Sequence, residues 1–222
     1  MSARETILGR IRVALVDVPV AEPATWDELQ DDDDAARYNR SGDDNPQAVA
    51  DLFAERCGAY SARVTRVARD GAALRRAIEA ACRRHGTASL VIPTDLPENW
   101  RPTGIECQPD HPRLSLRRLD GAGGALTGCA LAIAETGTIV LDGGAGQGRR
   151  ALTLLPDLHI CVVRERQIVA SVPEAIEQLG DTVRESGGPL TLISGPSATS
   201  DIELQRVEGV HGPRRLEVVI VT

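Results

Sequence analysis

The sequence predicts an α/β fold: an open, Rossmann-like, mostly parallel sheet with helices on both faces. Short apolar runs bounded by Gly or Pro recur along the chain without polar alternation, the pattern of strands buried on both sides. Segments with apolar residues at helical spacing lie between several of these runs, as crossover connections require. The scale agrees, because 222 residues supply enough chain for one sizeable core and 42% hydrophobic with 26% charged is the ordinary globular mix.

Taken in order, Ile7, Leu8, Ile11 and Leu15 mark one side of an N-terminal amphipathic helix. Eleven acidic and two basic residues then fall between Asp17 and Asp51. This stretch contains the run 31–34 and the turn-forming SGDDNP at 41–46, has no hydrophobic period, and reads as a long hydrated surface loop, either a plain linker or an interaction loop. The expected organisation is an N-terminal helix and acidic loop over residues 1–44 and an α/β domain over 45–222. In that domain Val49, Leu52, Phe53 and Cys57 form a helical face, followed by a β-branched run at 63–68. The clearest helix carries Leu74, Ala77, Ile78, Ala81, Cys82 and His85, with Asp70 placed to cap its start and Gly86 to end it. Residues 89–92 form a buried strand stopped by Pro93. The stretch SLRRLD at 115–120 reads as a weak strand. Further strands are expected at 131–134, 138–141, 159–163, 190–193 and 216–221, with Pro173 opening a helix that carries Ile176, Leu179 and Val183.

Composition excludes several classes. A formal charge of -7 and a pI of about 5.2 repel a polyphosphate, so no nucleic-acid partner is expected. Every cation is Arg, which removes Schiff-base chemistry and the lysine of a Walker A loop. The five cysteines stand at least 22 residues apart and the four histidines are scattered singly, so no zinc or iron-sulfur spacing occurs and no intrinsic cofactor is expected. Free thiols imply a reducing compartment. No stretch approaches the ~20 apolar residues of a transmembrane segment, and the polar start lacks a signal-peptide core, so a cytoplasmic location is expected.

In open α/β sheets ligands bind at the carboxyl ends of strands, so the residues just after each run are the candidates. Glu135, between LAIA and TIVL, is expected to be largely desolvated, which suits an acid, base or nucleophile; the alternative is an acceptor for backbone amides across a strand junction. The run LTLISGPSATSDIE at 190–203 opens into a turn rich in hydroxyls before a short helix expected at Asp201, and either holds a carboxylate or phosphate or simply caps that helix. His211, between two glycines, is either a turn residue or a proton-transfer group. His159 begins a strand, the wrong end for a site, and reads as structural. GGAGQGRR at 143–150 is either a mobile hairpin or a loop that brings Arg149 or Arg150 to an anion. GAGGALTG at 121–128 lacks a dinucleotide fingerprint. The expected site has Glu135 and His211 as catalytic groups, with Thr136, Gly137, Thr138, Ser194, Gly195, Ser197 and Thr199 around a small carboxylate ligand.

Four segments in order, ALAIAETGTIVL at 130–141, LLPDLHICVV at 154–163, ISGPSATSDIE at 193–203 and GVHGP at 209–213, resemble the signature of the LUD-domain family in its lactate-utilization protein C branch. The resemblance covers the chain from about Asn45 onward. It implies a fold like that of the NagB/RpiA/CoA-transferase group, and participation in oxidising L-lactate to pyruvate as one of three proteins encoded together. It also implies that the iron-sulfur clusters sit on partner proteins. Glu135-Thr136-Gly137 is in addition similar to the Glu-x-Gly context of CoA-transferases, which implies acyl or CoA transfer with Glu135 as nucleophile. A non-catalytic subunit that binds a carboxylate or docks its partners is the third reading, because fold alone does not fix function.

Overall fold

A computed structural model describes residues 3–14, 16, 42, 45–199, 207–209 and 211–222. The chain divides into two compact units, Met1–Asn39 and Arg40–Thr222. In the first, α1 (Ala3–Ala14) buries none of its residues. Most of the acidic stretch, Leu15 and the helix expected at Asp201 lie outside the described residues.

The second unit begins with α2 (Pro46–Ala59), where Asn45 caps the first turn through the Gln47 N–H and Pro46 needs no amide partner. The strand β1 (Arg63–Val67) and the helix α3 (Gly71–Arg84) follow. Asp70 accepts from the N–H groups of Ala72 and Ala73, and the chain leaves α3 through Gly86 at φ +63°, as the sequence predicts. Then come β2 (Ser89–Ile92), β3 (Glu106–Pro109) and α4 (Leu116–Asp120). The last corrects the weak strand expected at 115–120: the Ser115 hydroxyl accepts the Arg118 N–H and caps a short helix, in which Leu119 is buried. The remaining elements are β4 (Ala125–Thr127), β5 (Leu131–Ile133), β6 (Thr138–Leu141), β7 (Leu158–Arg164), β8 (Ile168–Val169), α5 (Val172–Ser186), β9 (Thr191–Ile193), β10 (Ala198–Thr199), β11 (Val207–Glu208) and β12 (Arg215–Val221).

Six strands form a wholly parallel sheet in the order β1-β12-β7-β4-β2-β3. The α/β class is therefore as the sequence predicts, but three of the expected strands belong elsewhere. β5, β6 and β9 form, with β8, a second sheet in which β5–β6 and β6–β9 are antiparallel. Only residues 134–137 join β5 to β6, too short for the crossover of a dozen or more residues that parallel neighbours need.

The two faces of the large sheet are read off β7. Ile160 and Val162 face Leu74, Ile78 and Trp100, so α3 covers one side. Cys161 and Val163 face Phe53, Cys57, Ala132 and Ile139, so α2 and the small sheet cover the other. Beyond the small sheet, α5 packs Ala175 and Leu179 on Leu131, Ile133 and Val140. One buried carboxylate ties α3 to the sheet: Glu217 of β12, 1% exposed, accepts from Arg84 at 3.2 and 2.7 Å and meets His85 Nε2 at 2.8 Å.

Candidate functional site

The turns after β9 and before β12 are knit together by backbone. The Ser197 N–H donates to the Pro213 carbonyl at 2.8 Å, the Gly209 N–H to the Ser197 carbonyl at 2.9 Å, and the His211 N–H to the Ser197 hydroxyl at 3.0 Å. Ser194, Gly195, Ser197 and His211 thereby wall one hollow of about 240 Å³ at the seam between the two sheets. Thr199 lies on β10, opposite Val207. From the β5–β6 hairpin a chain of hydroxyls runs in: Thr136 Oγ1 is 2.7 Å from Thr138 Oγ1, which is 2.7 Å from Ser194 Oγ. All four segments that carry the family resemblance thus reach this hollow or touch a residue that walls it.

The two glycines of the expected site serve packing. Gly137 has φ +59°, and a Cβ there would stand 2.8 Å from the backbone of Arg56 and Cys57; Gly195, at φ +88°, would place one 2.6 Å from Tyr60 Cβ. Both turns are therefore pressed on the end of α2, where only Gly fits.

Glu135 departs from expectation. Its side chain is exposed rather than desolvated, and it accepts the Val172 N–H at 2.7 Å at the start of α5, while its own N–H donates to the Ala170 carbonyl. The carboxylate satisfies one of the unpaired amides of a helix start and does not wall the hollow. The residues flanking the Glu-x-Gly similarity thus lead inward, and the glutamate itself does not.

Of three groups that the sequence left open or set aside, two wall the hollow. Arg149 is held by Asp110, Nε to Oδ2 at 2.6 Å and Nη2 to Oδ1 at 3.1 Å, and by the Leu114 carbonyl at 2.7 Å. Arg150 has no acid partner among the described residues; its Nη1 donates to Thr153 Oγ1 at 3.1 Å, and lost hydration pushes its pKa below the usual value. The glycine-rich loop before these arginines is pinned rather than a free hairpin, since the Gly146 N–H donates to Asp95 and the Gly128 N–H to the Gly146 carbonyl. His159 is 1% exposed, and burial, with Arg150 nearby, lowers its pKa to about 4, so the ring is neutral. Both Arg150 and His159 wall the hollow, and its described lining includes no Asp or Glu. The arrangement suits a small anion.

His159 and Leu216 lie at the beginnings of β7 and β12, so the hollow is on the amino side of those strands, against the expectation of carboxyl ends. A larger cavity of about 710 Å³ does open at the carboxyl ends of β1, β7 and β12, lined by Arg69, Trp100 and Arg164 with the guanidinium of Arg164 5.2 Å above the Trp100 ring. None of the expected site residues reaches it. Among the described residues no group of three or more His, Cys, Asp or Glu is placed to hold a metal ion, and no helix is long and apolar enough to cross a membrane.

Comparison with known proteins places the chain. The model of the LUD domain matches residues 50–221. "Lactate utilization protein C" of Deinococcus radiodurans is 59% identical over 132 residues, 60% of this chain; the match spans 62% of that relative's length. The protein of the same name from Geobacillus kaustophilus is 29% identical over 167 residues, 68% of each chain. A crystal structure of a DUF162 family protein from D. radiodurans superimposes with a TM-score of 0.69 at 41% identity, covering 80% of this chain and 99% of that one.

Proposed function

Since the chain belongs to the LUD-domain family, we propose that it takes part in lactate utilization, as a component that binds a small carboxylate and acts with iron-sulfur proteins in oxidising L-lactate to pyruvate. The names of its relatives support the process. The observation that carries the molecular reading is the convergence of Ser194, Ser197, His159, Arg150 and His211 on one hollow whose described lining includes no Asp or Glu. Placing the clusters on partner proteins agrees with the cysteines, since Cys57 and Cys82 are buried with thiols raised to about 12 and 11 and the buried Cys161 thiol, beside Cys129, is also raised well above the usual value, where thiolate ligands are disfavoured. Glu135 as acyl acceptor finds less support, because its carboxylate is engaged at the start of α5.

The test is reconstitution of lactate-dependent electron transfer from purified components, with this chain present or omitted. Loss of transfer on omission is the expected result. Undiminished transfer without the chain overturns its place in the oxidation.

A further inference from the structure

The amino ends of β1 and β12 gather positive charge in a chain whose formal charge is -7. Register explains how. Arg63 of β1 is level with Glu217 of β12, and strand alternation puts Arg215 on the same face as Glu217. That face looks toward α3, since Val67, Val219 and Val221 of the same two strands pack with Leu74 and Ile78. α3 stops at Arg84, and at its end a notch of about 420 Å³ is lined by Ser61, Arg63, Arg84, His85, Arg214 and Arg215, with Glu217 as the one acid of its described lining.

These charges are not all spent on one another. Glu217 is 1% exposed, and its carboxylate is taken by Arg84 and His85. Arg214 stands 3.3 Å from Asp157. Arg63 and Arg215 are exposed and have no acid partner among the described residues. The end of α3 does not repel an anion with bare carbonyls either: three of the four in its last turn, those of Ala81, Cys82 and Arg83, receive the N–H groups of His85, Thr87 and Gly86. Ser61 adds a neutral donor. It holds φ +68°, a conformation that Gly adopts at lower cost, and its hydroxyl has no partner among the described residues.

Two guanidiniums without acids beside a free hydroxyl call for one group that carries two negative charges. A carboxylate neutralises one guanidinium, whereas a phosphate dianion offers three oxygens to both. The volume of about 420 Å³ falls within the ~300–1,000 Å³ of small-molecule sites and exceeds what a bare ion fills. We propose that the notch binds the phosphate of a small phosphomonoester, with Arg63 and Arg215 meeting its oxygens and the Ser61 hydroxyl donating to one of them. Of the described residues only Leu216 lines both the notch and the hollow, so this site stands apart from the carboxylate reading.

Calorimetric titration of the full chain at about pH 8, where a phosphomonoester is a dianion, tests it. The probes are glycerol 3-phosphate, inorganic phosphate and succinate, at an ionic strength held constant with chloride. Saturable binding of both phosphates is expected, with glycerol 3-phosphate about tenfold tighter than succinate, whose two charges sit on separate groups. Arg63→Gln and Arg215→Gln each weaken it about tenfold or more, as the loss of charge-assisted hydrogen bonds requires. Arg66→Gln, whose arginine pairs with Asp51 and does not line the notch, leaves it unchanged. Ser61→Gly separates a ligand role from a folding role, since it relieves the backbone and is expected to melt no lower than the wild type while binding phosphate more weakly. No saturable binding of either phosphate, or binding untouched by both Arg63→Gln and Arg215→Gln, overturns the site. Succinate bound as tightly as glycerol 3-phosphate overturns phosphate as the group recognised.

Discussion

His159 ties the stability of the fold to pH through one buried ring. Its folded pKa of about 4 lies below the ordinary value of 6.5, because charging it means losing hydration beside Arg150. As pH falls from 6.5 toward 4 the unfolded chain takes up a proton that the folded chain refuses, so the contribution is intact above pH 6.5 and is lost on the way down. The loss reaches about 3 kcal/mol by pH 4. Thermal melts at pH 7 and pH 5 are therefore expected to differ clearly for the wild type and less for His159→Gln. An equal difference in the variant removes His159 from the acid sensitivity. The sequence shows His159 only as the first polar residue of a strand. Its Thr127 partner is 32 residues away and its neighbour Arg150 is nine, and no local pattern joins the three. Glu135 fails for the opposite reason: flanking apolar runs promise burial, but a residue at the tip of a two-strand turn reaches solvent whatever its neighbours do.

At the scale of elements, the seam depends on how closely the β5–β6 turn sits on α2. Gly137→Ala places a methyl group 2.8 Å from backbone atoms of Arg56 and Cys57 at a φ of +59°, and neither backbone can move without disturbing the helix. A loss of more than about 2 kcal/mol is expected in denaturant unfolding, since a strained φ and a clash combine. A variant as stable as the wild type shows that the turn is not pressed on α2. Most elements are legible in the sequence because their signals are local: Asp70 and Gly86 around α3, Pro173 in α5, and apolar runs for β2, β7 and β12. Membership of a sheet is less so, since a strand covered on both faces reads alike in either sheet. The few residues between β5 and β6 were the available signal for a hairpin, and the Ser115 cap was the signal for α4.

The whole unit is a stack: α3, the parallel sheet, α2 with the small sheet, and α5. The small sheet supplies the Ser194 turn and the hydroxyl chain, the large one supplies His159 and the approach to His211, and Arg150 enters from the turn between β6 and β7. A site assembled from two sheets is visible in sequence as separate motifs; that they meet follows only from the packing. On the proposed reading, function runs through this hollow and not through Glu135. Growth on L-lactate of cells that depend on this gene, carrying Arg150→Gln, Ser194→Ala, His211→Gln or Glu135→Gln, tests it most directly, with a thermal melt of each protein beside it. The first three are expected to fold and to fail on lactate. Glu135→Gln keeps a carbonyl oxygen for the Val172 N–H and is expected to grow, with a stability loss on the order of 1 kcal/mol. Growth of a well-folded Arg150→Gln strain, together with failure of a well-folded Glu135→Gln strain, contradicts a site in the hollow.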